Sequence, residues 1–301
     1  MNYNLITILG PTATGKTRLA ALLAHKFKGE IISADSRQVY KGMDIGTGKD
    51  LSDYIVNNET VAYHLIDIIS PKEEFNLFLF NKYFYSAYNQ IIFKKKLPFL
   101  VGGTGLYLSS ILQNYKLNEA EFKKEDFEKL NNFNLNELKK ILLKFNLSLH
   151  NTTDLINKER IIKAIIIAQA EKKFNQSIKH INKLVIGILP ERFEIKKRIT
   201  ERLVKRLNQG MIEEVESLIK NGVSFEKLKF FGLEYKFIAM YLKGELNYND
   251  MFQKLNSAIN NFAKRQITWF RKMEREGVKI NWLPFADFEK AKNLINNFLN
   301  N

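Results

Sequence analysis

With 301 residues, 45% of them hydrophobic and 26% charged, the chain has room for one large core or a core plus a smaller insertion, and disorder throughout is excluded. Lysine and arginine number 47 against 32 aspartate and glutamate, and the resulting +15 fits either a polyanionic partner, such as nucleic acid or an anionic membrane, or a lysine-rich soluble surface. The chain contains no cysteine, which excludes disulfides and thiolate-bound zinc and fits a reducing, cytoplasmic setting.

The N-terminus lacks the basic-then-apolar pattern of a signal peptide. Asn4 to Leu9 reads as a buried strand, followed by a glycine-rich turn and a helix from Lys16 to about Lys26. Between them, Gly10, Pro11, Thr12, Ala13, Thr14, Gly15, Lys16 and Thr17 match the pattern G-x-x-x-x-G-K-[ST] in the right context, strand before and helix after. The spacing has a physical purpose. The glycines let successive backbone N–H groups face one anion, and the helix N-terminus adds partial positive charge. Lys16 adds a full charge, and Thr17 is placed to ligate a magnesium ion shared with the phosphates. A kinase, an ATPase and a diphosphate-using transferase would all look alike here.

Ile31 to Ala34 reads as a second strand, ending at Asp35. Ligands of parallel α/β sheets gather at the carboxyl ends of strands, so Asp35 is expected near the phosphate turn as a metal ligand, a proton acceptor or a cap. Gly46-Thr-Gly-Lys49 is either a second phosphate-contacting turn or an ordinary loop. Val61 to Ile68 reads as a third strand. His64 within it is more readily structural than catalytic. Residues 76–96 read as an aromatic-rich helix, with Phe75 to Phe84 a core stripe. Pro98 to Val101 is a fourth strand, closed by Gly102-Gly103. Strands alternating with helices point to an α/β fold with a parallel sheet flanked by helices.

The texture changes after about residue 113. Glycine and proline are absent from Lys116 to Lys183, and Leu135, Leu138 and Leu142 have helical spacing. The stretch Ile161 to Ala170 is apolar but interrupted by Lys163 and too short to span a bilayer, so no membrane span is expected. The organisation expected is a core over 1–112, an all-helical insertion domain over 113–183, and a second part of the core over 184–301. That last part opens with a strand, Leu184 to Leu189, and is otherwise basic and mostly helical. Arg198, Arg202 and Arg206 recur every four residues beside the apolar stripe Ile195, Ile199, Leu203 and Leu207, either as a ligand-facing row or as a solvated face.

Five stretches together resemble the tRNA dimethylallyltransferase family: the P-loop, Ser33 to Lys49, Tyr63 to Asp67, Leu100 to Tyr107 and Ala263 to Arg271. They stand in family order over nearly the whole chain. The resemblance implies a P-loop NTPase-like core with a mobile helical insertion. It implies transfer of the dimethylallyl group from dimethylallyl diphosphate, with magnesium (Mg2+), to adenosine 37 beside the anticodon of tRNAs reading codons that begin with U. It implies Asp35 as general base, Thr104 near the reacting amine and Arg202 on the diphosphate. It places Ser36, Arg37, Gln38, Arg160, Lys264, Arg265, Gln266, Thr268, Trp269 and Arg271 on tRNA-contacting stretches, and makes a monomer plausible.

The chain departs from the family pattern at Ile156 and Asn157, where Asn-Asp is common, and at Lys229-Phe-Phe-Gly232, where an arginine often precedes the glycine. The insertion is also short. No Asp-Asp-x-x-Asp cluster is present, so the prenyl donor rests on the resemblance. Two other readings fit parts of the chain. A small-molecule or nucleoside kinase accounts for the P-loop but not the charge. An RNA-binding protein whose P-loop only senses nucleotide would not depend on Asp35.

Overall fold

The structure is a computed structural model, which describes residues 4–145, 155, 157–170 and 181–300. The chain divides into two compact units, residues 1–114 with 178–301, and residues 115–177.

The larger unit is built on a six-stranded sheet. In chain order its strands are β1 (Asn4–Leu9), β2 (Glu30–Ala34), β5 (Tyr63–His64), β6 (Pro98–Gly102), β7 (Asn182–Ile188) and β8 (Asn281–Leu283), while β3 (Ile55–Val56) and β4 (Glu59–Thr60) form a separate hairpin. The spatial order is β5-β2-β6-β1-β7-β8, and every neighbouring pair in it is parallel. The central strands are buried on both faces, as parallel strands under helical layers require. The α/β class and the parallel sheet read from the sequence are both present.

Around the sheet lie α1 (Lys16–Lys26), α2 (Leu77–Phe93), α3 (Gly105–Leu112), α7 (Arg192–Asn208), α8 (Met211–Lys220), α9 (Phe225–Phe231), α10 (Leu233–Leu242), α11 (Tyr248–Arg275) and α12 (Phe288–Asn300). One core cluster joins Ile6, Ile8 and Ile186 of the sheet to Leu19 and Leu23 of α1 and Ile295 of α12. The helix expected over 76–96 is α2, started by Asn76, whose side chain accepts from the Leu79 N–H, an N-cap. The third strand expected over Val61–Ile68 is cut to Tyr63–His64. Leu65 and Asp67 take left-handed φ values of 64° and 54°, which turn the chain out of the ladder. The short hairpin before it turns at Asn57 and Asn58, both also left-handed.

The smaller unit, in its described part, is built from α4 (Lys124–Asn131), α5 (Leu135–Leu143) and α6 (Lys158–Gln169). Asn134 and Glu137 close α5 with a capping box, and Leu138 and Leu142 pack on Ile161, Ile162, Ile165 and Ile166 of α6. Position 156, where the chain leaves the family pattern, lies outside the described residues. Its neighbour Asn157 caps α6 by accepting from the Arg160 N–H. Among the described residues no helix is long and apolar enough to cross a membrane.

Candidate active site

The carboxyl ends of β1, β2 and β6 open into one cavity of about 440 Å³. Thr12 to Thr17 form its floor, Asp35 and Gln38 one wall, Thr47, Gly48, Asp50 and Asp53 another, and Arg198, Arg202 and Lys205 of α7 the cover.

The floor is a tight turn of the kind that can bind an anion. Ala13 and Gly15 take left-handed φ values of 64° and 78°, and Thr14 bonds back to the Pro11 carbonyl at 3.0 Å. Lys16 Nζ donates to the same carbonyl at 3.2 Å. Burial, together with the charges of Arg202 and Arg206, pushes the Lys16 amine down to about 8. Arg202 donates to Thr12 Oγ1, and burial plus its neighbour Arg206 lower it to about 10. Arg206, one turn further along, is buried. It pairs with Asp50 at 3.6 Å, and its Nη2 makes no hydrogen bond. Lys16 on the floor, Arg202 above it and buried Arg206 packed against Gly48 of the wall concentrate positive charge in a way suited to a multivalent anion. The arginine row is therefore no solvated face, because Arg202 and Arg206 point inward.

Asp35 follows β2 directly. Its Oδ1 accepts from the Arg37 N–H at 2.9 Å, so the carboxylate fixes the local turn while lining the cavity. Thr104, beyond β6, donates its N–H to the Ala34 carbonyl and accepts the Ser36 N–H on Oγ1 at 3.1 Å. It supports the segment carrying Asp35 but is not among the residues lining the cavity. Gln38 spans the wall, its Oε1 accepting from Ser33 Oγ and its Nε2 donating to the Gly48 carbonyl at 3.0 Å. The Arg37 guanidinium lies 5.0 Å from the centroid of the Phe230 ring.

The basic run on α11 separates into two faces. Lys264, Arg265, Thr268 and Arg271 are exposed. Gln266 is buried: its Oε1 accepts the Thr12 N–H at 2.9 Å and its Nε2 donates to the Gly103 carbonyl at 2.8 Å. Trp269 is half-buried and donates from Nε1 to Ser109 Oγ at 2.7 Å. Both side chains, expected on an RNA-contacting stretch, make internal hydrogen bonds. Gln266 ties the phosphate turn to the Gly102-Gly103 turn. Arg160 belongs to the smaller unit, exposed on α6.

His64 stands apart from the cavity, with its Nε2 2.8 Å from buried Glu30. Burial would raise the Glu30 carboxyl, but hydrogen bonds from Lys96, His64 and Lys94 outweigh it and hold the group at about 2. That is a structural network.

Among the described residues no three His, Cys, Asp or Glu side chains converge to hold a metal. The cavity offers the Thr17 hydroxyl with Asp35, Asp50 and Asp53 lining the same space. This sparse oxygen set fits a magnesium ion that draws most of its ligands from phosphate and water.

Sequence reasoning missed Asp50, Asp53, Tyr54 and Lys205 as cavity residues. Lys205 carried a signal, lying seven residues after Arg198 on the same helix. Asp50 stands just before, and Asp53 and Tyr54 within, the single 3-10 turn Leu51–Tyr54, which is too short to show a periodicity.

Comparison with known proteins gives one consistent result. A family model described as IPP transferase matches residues 38–273, and a second, isopentenyl transferase, matches residues 3–67. A tRNA dimethylallyltransferase of Geotalea daltonii is 54% identical over 287 residues, covering 95% of this chain and 92% of its own length. The crystal structure of the full-length tRNA isopentenylpyrophosphate transferase from Bacillus halodurans superposes with a TM-score of 0.71 at 30% identity, covering 99% of this chain and 96% of that one. A eukaryotic dimethylallyltransferase, seen in crystallographic snapshots acting on tRNA, shares the fold with a TM-score of 0.72 at 20% identity, over 93% of this chain and 74% of that one.

Proposed function

The chain belongs to the IPP transferase family, and from that premise we propose that it prenylates tRNA. In this reading it moves the dimethylallyl group of dimethylallyl diphosphate onto N6 of adenosine 37 in tRNAs that read codons beginning with U. The setting proposed is the cytoplasm, and the working form a monomer.

One observation carries the reading. The Thr12–Thr17 turn, a half-buried arginine and the Asp35 carboxylate meet in one cavity: Arg202 is bonded to Thr12, and Asp35 lines the same space. Transfer makes an N6–C1 bond and breaks C1–O of the diphosphate. The attacked carbon is allylic and tolerates positive charge, so stabilising the departing diphosphate is the larger task. Preorganised donors aimed at developing charge commonly supply the largest catalytic contribution. The turn's N–H groups, Lys16 and Arg202 are suited to it. A magnesium ion at Thr17, when bound, would add charge to the same phosphates. Asp35 takes the proton that N6 loses as its bond to carbon forms.

Adenine must leave its stack to reach the cavity, at a cost of a few kcal/mol. Phosphate contacts from Lys264, Arg265 and Arg271 help to offset it, with Ser36 to Gln38 close to the acceptor. The exposure of the first three supports this part of the reading. Relatives named for tRNA modification at about half identity do not favour a kinase.

The test is incubation with unmodified tRNA and labelled dimethylallyl diphosphate, followed by mapping of the labelled nucleotide. Label at adenosine 37 is expected. Transfer of phosphate to a small acceptor, with unlabelled tRNA, would overturn the reading.

A further inference from the structure

The turn Asp44–Lys49 contains Gly46-Thr-Gly-Lys49, by sequence either a second phosphate-contacting turn or an ordinary loop. The structure fills it from within. Glu214, on α8, places its carboxylate in the concave face of the turn. Its Oε2 accepts the N–H groups of Asp44 and Ile45 at 2.8 and 2.7 Å, and its Oε1 accepts that of Gly46 at 3.0 Å. A fourth bond comes from the Tyr235 hydroxyl at 2.7 Å. Successive backbone N–H groups converging on one anion are what a phosphate would use, and here a carboxylate from some 170 residues away uses them.

The same stretch continues into the cavity wall. Thr47, Gly48, Asp50 and Asp53 all line the cavity, whereas Glu214 does not. The backbone is held closely against its supports. A side chain at Gly46 would strike the Tyr235 ring, and one at Gly48 would strike the Arg206 guanidinium. The Gly48 carbonyl in turn receives Gln38 Nε2, three residues from Asp35. Buried Lys49 pins the far end, donating to the Tyr40 carbonyl, to Asp44 at 2.6 Å and to Asp67.

We propose that Glu214 is a positioning residue for the diphosphate donor: by filling the 44–46 turn it sets the Thr47–Asp53 wall and the Arg206–Gly48 contact that bound the diphosphate cavity. The turn is thus no second phosphate site. It is a strut whose anion is supplied by the protein, and it acts on the donor side of the reaction. This rests on the donor reading given above.

The experiment measures Glu214→Ala and Glu214→Gln, with inorganic diphosphate as the binding probe and both substrates in steady state. For Glu214→Ala, KM for dimethylallyl diphosphate and Kd for inorganic diphosphate are expected to rise together by roughly tenfold or more, about 1.4 kcal/mol of binding. kcat at saturating donor and Kd for tRNA should change by less than about threefold, because uniform donor binding is what is lost. Glu214→Gln keeps one acceptor oxygen and is expected to fall between Ala and the native residue, a partial rescue. If the Ala variant does not fold, Glu214→Gln carries the test: a smaller rise in both donor constants with an unchanged Kd for tRNA supports the proposal, and unchanged donor constants overturn it.

Unchanged diphosphate binding in Glu214→Ala would overturn the proposal. So would donor and tRNA constants that worsen by the same factor, which marks a general structural role. Diphosphate binding needs no prenyl transfer. A native protein that binds diphosphate without labelling tRNA would therefore count against the activity and leave this inference standing.

Discussion

Gln266 separates the inward from the outward task of α11, and its replacement by leucine gives a quantitative test. The change keeps most of the side-chain volume but removes both hydrogen bonds, leaving the Thr12 N–H and the Gly103 carbonyl without their partner. Each buried polar group so orphaned costs about 1–3 kcal/mol. Thr12 is only half-buried, so water recovers part of its share. A net loss of about 2–4 kcal/mol is expected, which for a protein of this size lowers Tm by roughly 3–6 °C. Because the Thr12 N–H belongs to the phosphate turn, affinity for inorganic diphosphate should fall as well. A neutral amide neutralises no phosphate, so the salt dependence of tRNA binding should keep its slope. Thermal unfolding, calorimetry with diphosphate and tRNA titrations at several salt concentrations cover the three readouts. Full stability and full diphosphate affinity, combined with weakened tRNA binding, would refute the internal role.

Three further expectations concern the cavity and the exposed face. Asp35→Asn should slow prenyl transfer by on the order of 10²–10⁴-fold while tRNA binding stays nearly intact; unchanged turnover would remove Asp35 from proton transfer. Arg265→Ala should weaken tRNA binding and reduce the salt slope by about one, and an unaltered slope would deny it a phosphate contact. Lys16, lowered to about 8 chiefly by burial, should make diphosphate binding weaken as pH rises above 8. Its lowered value also means that the unfolded chain holds the proton more tightly, so this group's contribution to stability improves as pH rises from about 8 towards the ordinary lysine value of 10.5. In Lys16→Met both pH effects should disappear, as calorimetry and urea melts across pH 7–10 would reveal.

The phosphate turn, Asp35 and the central strands were legible because their signals are local. Glycine spacing announces the turn, and runs such as Leu5 to Leu9 can only be buried strands. The edge strand β8 was not legible, since it is three residues long and exists through its pairing with β7. The hairpin at 55–60 was not read either, because its two-residue strands are below what periodicity resolves. The arginine row of α7 showed its spacing but not its direction; Arg202 lines the cavity, and Arg206 is buried beside Asp50 and Gly48 of its wall. Gln266 was missed although a signal existed. Counted along α11, Ala263, Gln266, Phe270 and Met273 fall on one buried stripe, and the polar residue in that stripe was read with its basic neighbours. Glu214 had no local signal, because its partners lie in a loop near the other end of the sequence.

The central claim is a spatial one, and a structure bound to an unreactive donor analogue and an anticodon stem-loop tests it most directly. With the diphosphate on the Thr12–Thr17 turn, the Asp35 carboxylate should stand about 2.6–3.2 Å from N6 of the extruded adenine, or one water away. A diphosphate bound elsewhere, or an adenine whose N6 lies far from Asp35 with the donor in place, would contradict the account.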